Sequence, residues 1–69
     1  MKSDLHDAGV IYQYATERAV CVRAEVSGPD IWIPLSRCEI AAPPGQELRR
    51  GGLAILTADA ATLTEKGLV

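Results

Sequence analysis

The feature that most constrains this chain is the stretch from Ala19 to Ile40, which reads AVCVRAEV, then SGPD, then IWIPLSRCEI. Val20, Val22, Ala24 and Val26 alternate with Ala19, Cys21, Arg23 and Glu25. Successive side chains on a strand point to opposite faces, so this is the period of a half-buried strand. The β-branched valines suit its pleated surface. Ser27-Gly28-Pro29-Asp30 is a run of turn formers, and Ile31-Trp32-Ile33 resumes the strand pattern. A hairpin with Val26 opposite Ile31, Ala24 opposite Ile33 and Val22 opposite Leu35 has one apolar face. The same register sets Glu25 opposite Trp32 with Arg23 on the diagonal, about 7–8 Å away. From there a guanidinium can rest on the indole. A slip of one residue would exchange the two faces, so the register is a firm expectation.

A chain of 69 residues makes one domain, near the lower limit at which a single core suffices. With 48% hydrophobic and 23% charged residues it has the composition of a globular protein, not a disordered one. Phenylalanine is absent and aromatics amount to 4%, so the core must come from Val, Ile, Leu and Ala. That core is thin, and a homodimer or a partner that completes it is in keeping with the composition. The net charge of −2 argues against non-specific nucleic-acid binding, which needs cations to displace counterions. No signal peptide and no bilayer-spanning apolar run are evident, so a cytoplasmic location without a membrane partner is expected. Cys21 and Cys38 are the only cysteines and are expected to be reduced in that compartment. With the single His6 they do not make up a zinc site, and no metal or cofactor is expected.

Taken in order, residues 1–8 read as a flexible N-terminal segment and 9–69 as one small β-rich domain. Val10 to Ala15 is a strand by alternation, with Val10, Tyr12 and Tyr14 on one side; a helix through Arg18 is the alternative. Thr16-Glu17-Arg18 turns into the central hairpin. Pro34 lacks a backbone donor and belongs at a strand end or on an edge. Leu35 to Cys38 reads as one turn of 3-10 helix, Glu39-Ile40 as a short strand, and Ala41 to Gln46 as a loop. Leu53 to Leu56 is the last strand, and Thr57 is the expected N-cap of a helix over Ala58 to Lys66. Gly67 followed by Leu68 predicts a Schellman ending that packs Leu68 back on Leu63. Together these elements predict a mainly β fold with one C-terminal helix: a small, bent antiparallel sheet of the SH3-like partial-barrel kind.

The candidate binding surface centres on Trp32 with Arg23, Arg37, Tyr12 and Tyr14, because interfaces favour Trp, Tyr and Arg. The competing expectation is a Trp32 covered by the helix or by the loop at Pro43-Pro44. Arg49-Arg50 beside Gly51-Gly52 can form a small anion site, or can simply be solvated. No catalytic set is legible. His6 has no cysteine or serine neighbour for which it could act as base, and Ser36 reads as a cap of the helical corner.

The succession of a valine-rich strand, Ile31-Trp32-Ile33-Pro34-Leu35-Ser36 with Glu39 shortly after, an apolar strand, and a helix ending Glu65-Lys66-Gly67-Leu68-Val69 resembles a family of short, mostly uncharacterised phage and prophage proteins. In that family a W-[IL]-P-x-S segment precedes a closing W-L-A-x-x-K-G-L helix. The resemblance covers roughly Ala19 to the C-terminus, and it departs where Ala61 stands in place of the helix tryptophan. It implies a small accessory protein that acts by binding, either to host defence machinery such as a CRISPR surveillance complex or to nucleic acid, without choosing between them. The absence of a catalytic set, the mildly acidic charge and the aromatic–arginine face favour a non-enzymatic protein that binds and inhibits a host defence complex. The alternatives are a small nucleic-acid-binding domain of phage replication or recombination, and a nucleotide-signal sponge built on Arg49-Arg50.

Overall fold

The computed structural model describes residues 5–68. In chain order it contains β1 (Leu5–Ala15), β2 (Ala19–Arg23), β3 (Ile31–Pro34), a 3-10 turn η1 (Leu35–Arg37), β4 (Cys38–Ala41), β5 (Leu53–Asp59) and α1 (Ala60–Glu65). The fold is mainly β with one short C-terminal helix, as expected. Every ladder is antiparallel, and the five strands form one sheet in the order β3-β2-β1-β5-β4.

The long central strand serves two partners. Leu5–Ile11 pairs with β5, and Ile11–Ala15 pairs with β2. The edge strands β3 and β4 lie at opposite ends of the order, yet only the three residues of η1 separate them along the chain. The sheet must therefore curl until its edges approach one another. No ladder joins β3 to β4 among the described residues, so the sheet is curled but open. The corner is tied by Leu35 N–H donating to Arg18 O (2.8 Å) and by the Cys38 thiol donating to Pro34 O (3.4 Å).

Curling gives the sheet an inside. Val10, Val20, Val22, Ile33, Ala54, Leu56 and Ala58 point into it, and Leu63 of α1 closes it. Burying a Val, Leu or Ile side chain completely contributes about 1.5–3 kcal/mol, so this cluster carries most of the fold's stability. Asp59 caps α1: its carboxylate accepts from Thr62 N–H (3.0 Å) and from the Thr62 hydroxyl (2.6 Å). These bonds, helped by the charge of Arg37, hold its pKa below the usual carboxylate value. At the other end Leu68 N–H donates to Leu63 O (2.8 Å) and Gly67 N–H to Thr64 O (3.1 Å). Gly67 has φ 74°, so the expected Schellman ending is formed, with Leu68 against the core.

Four expectations are corrected. β1 begins at Leu5 and not at Val10, with Leu5–Ala8 paired with β5; residues 1–4 lie outside the described residues. β2 ends at Arg23, and the hairpin register is Val22↔Ile31, Cys21↔Trp32 and Val20↔Ile33, four residues from the expected one. An even displacement leaves both faces as they were. Its cause is visible in Arg23, which donates from Nε to Asp30 (2.7 Å) and from Nη1 to Val26 O (3.1 Å), closing Ala24 to Asp30 as a loop. Thr57 remains in β5, paired with both Asp7 and Glu39, and the N-cap passes to Asp59. Finally, Tyr12 and Tyr14 do not share a side. The register shifts between them, with Tyr12 opposite Val22 and Tyr14 opposite Cys21. Gln13 is the extra residue of a β-bulge.

Candidate functional site

The bulge decides what the outer face carries. Tyr12, before it, packs against the core. Tyr14, after it, is opposite Cys21, which is opposite Trp32, so these three side chains share the outer face in one row across β1, β2 and β3. The two rings meet edge to face, with centroids 5.2 Å apart and planes at 82°, a preferred geometry for an aromatic pair. Tyr14 is 43% exposed and Trp32 40%. Cys21 has no exposed surface, so the thiol is covered although it lies on the outer side of the sheet. Burial pushes its pKa up and Asp30 adds to this, while Arg23 and Arg50 oppose it.

Arg50 completes the cluster from the β4–β5 connection. Gly51 N–H donates to Tyr12 O (2.7 Å) and Tyr12 N–H to Gly52 O (2.9 Å), so the two glycines extend the β1–β5 ladder beyond Leu53. Gly52 N–H donates to Arg49 O (3.0 Å), closing a four-residue turn with Gly51 at its third position and φ 81°. That angle marks a type II turn and favours glycine there. The turn delivers the Arg50 guanidinium over the Tyr14 ring, 5.8 Å from its centroid, within cation–π range.

The residues expected in the binding surface are thus divided. Trp32, Tyr14 and Arg50 come together, and Arg23 lies beside them, committed to Asp30. The expected contact of Arg23 with the indole is replaced by Arg50 on the phenol ring. Tyr12 faces inward. Arg37 sits in η1, lining a cleft of about 450 Å³ with Leu5, Cys38, Glu39, Thr57 and Asp59. Arg49 lines a recess with Gly45, Gln46 and Glu47, while Arg50 lies over Tyr14. The sequence reading missed Leu53 (54% exposed) and Leu5 (60% exposed), which extend the outer face along β5 and β1. The period of β5 would have found Leu53, since Ala54, Leu56 and Ala58 occupy the inner side.

Both cysteines are free thiols. Among the described residues no group of three or more His, Cys, Asp or Glu side chains is arranged to hold a metal ion. No helix among them is long and apolar enough to cross a membrane. Compared with protein families, curated proteins and solved structures, the chain matches none of them.

Proposed function

We propose that this chain is a non-enzymatic binding module, a phage or mobile-element accessory protein that inhibits a host defence complex by covering one of its surfaces. The observation that carries the binding reading is the Tyr14–Trp32–Arg50 cluster: two partly exposed aromatics and a guanidinium on a hydrogen-bonded ladder. Trp, Tyr and Arg are the side chains that dominate binding energy at protein interfaces. Holding the two aromatics on strands, with Arg50 on a hydrogen-bonded turn beside them, lowers the ordering cost of association. The scaffold beneath is read as a partial barrel of the SH3-like kind, and the host-defence partner is supported by the resemblance to phage and prophage proteins. Affinity capture from lysate of a bacterium with a CRISPR surveillance complex tests the partner. Retention of a surveillance subunit is the expected result, and a lysate from which no defence component is retained refutes it.

Single-stranded nucleic acid is the second reading, since bases stack on exposed aromatics. The geometry leaves it Tyr14 and Trp32 but turns Tyr12 inward and sets Arg37 elsewhere. Titrating Trp32 fluorescence with single-stranded DNA at two salt concentrations separates the readings: no quenching at low salt removes the second. A nucleotide-signal sponge built on Arg49 and Arg50 is a third reading, and it would have to draw Arg50 away from the Tyr14 ring.

A further inference from the structure

Along β1 the outer face changes character. Asp7 lies at one end, beside Thr57 and with exposed Glu39 across β5. In the middle are Gly9, Ile11, Leu53 and Ile55. At the other end are Tyr14, Trp32 and Arg50. From Asp7 to Tyr14 is roughly 20 Å at the usual rise per residue. One end is mainly acidic, with Asp7, Glu39 and Asp59 outnumbering the neighbouring Arg37; the middle is apolar, and the other end carries Arg50 and the aromatic pair. Such a stripe is complementary to itself when turned end for end, which is the requirement of a two-fold interface.

Gly9 is the second observation. Its backbone does not need glycine, since its φ is not in the left-handed region, and a Cβ placed there would meet nothing nearer than Leu53 Cδ1 at 3.9 Å. A glycine inside a strand weakens it and often marks the close approach of another backbone. Among the described residues only the Leu53 side chain comes near Gly9 on this side, and Gly9 stays exposed. It also sits near the midpoint of the stripe, on the central strand and therefore on the crest of the curled sheet.

We infer that this crest is an isologous dimer interface: a second copy lies antiparallel across it, closing over Gly9, Ile11, Leu53 and Ile55. The Arg50 guanidinium of each copy then reaches the Asp7 carboxylate of the other. Arg50 has the N–H groups for this, because the Tyr14 ring takes its π-facing side only. The dimer stands independently of any host partner, and because it uses Arg50, a partner on the same cluster competes with it.

Sedimentation equilibrium of the full chain under reducing conditions tests the inference, with far-UV circular dichroism confirming that each variant is folded. The wild type is expected to be a dimer. Leu53→Glu is expected to make it a monomer. Asp7→Lys and Arg50→Glu are each expected to weaken association by about tenfold or more, the equivalent of 1.4 kcal/mol. An equimolar mixture of those two variants is expected to regain it, because every charge pair in the mixed dimer is again opposite. A monomeric wild type at high micromolar concentration overturns the inference. So does a dimer that tolerates Leu53→Glu, or one in which the two charge variants fail to complement each other.

Discussion

The two faces of the sheet use their apolar residues differently. On the inner face Val20, Val22, Ile33 and Leu56 have no exposed surface and meet one another and Leu63. On the outer face of the sheet Trp32, Tyr14 and Leu53 remain two-fifths or more exposed. A chain whose only tryptophan stands next to Ile33 has put its largest apolar side chain outside and a smaller one inside. Its stability is thus assigned to one face, and its strongest binding side chains are left on the other.

The most direct way to break that contrast is to truncate the neighbours Ile33 and Trp32 separately. Ile33→Ala is expected to cost about 3 kcal/mol, a large share of the stability of a domain this small. Trp32→Ala is expected to cost about 1 kcal/mol, the range for a partly exposed side chain that leaves no closed cavity. Urea unfolding measures both, and equal losses would erase the distinction between the faces. Thiol labelling sharpens it. Burial raises the pKa of Cys21 and of Cys38, and Cys21 is the more enclosed. Iodoacetamide is expected to modify Cys38 first in the wild type, and Trp32→Ala is expected to speed modification of Cys21 by uncovering it. An unchanged Cys21 rate would mean that the indole is not its cover.

Gly51→Ala acts on the outer face through the backbone. At φ 81° an alanine is strained by about 1 kcal/mol. The turn that carries Arg50 shifts, so binding should fall more than stability does. The smallest expected effect is the acid sensitivity of the helix cap. Because the folded-state pKa of Asp59 is lowered, its contribution is present at neutral pH and is lost as pH falls through that lowered value. Asp59→Asn keeps a capping oxygen but removes the titration. A pH series of melting temperatures is expected to be flatter at the acid end for the variant than for the wild type.

Much of this contrast was legible in the residues. Val20, Val22 and Ile33 alternate with Cys21 and Trp32, which assigns the two faces whatever the register. Pro34 and the Gly67-Leu68 pair marked the strand end and the helix end for local reasons. The register itself was not legible, because Ala24-Glu25-Val26 continues the alternation in letters while Arg23 and Asp30 draw those residues into a loop. Periodicity does not report where pairing stops. The bulge at Gln13 breaks no pattern either, yet it separates Tyr12 from Tyr14. Leu5–Ala8 becomes strand only because β5, some fifty residues on, pairs with it. The candidate site was legible as a set of residue types, but its members were brought together by long-range pairing. Arg50 reaches Tyr14 through a glycine turn anchored on Tyr12, a contact that no local spacing announces.

The central claim is that Trp32, Tyr14 and Arg50 form the surface that a partner meets. Its most direct test is quantitative capture of the partner by the wild type and by folded Trp32→Ala, Arg50→Glu and Arg37→Ala variants. Capture is expected to be lost with the first two variants and kept with Arg37→Ala, which alters a different surface. Equal capture by all four proteins, or loss only with Arg37→Ala, would contradict the account.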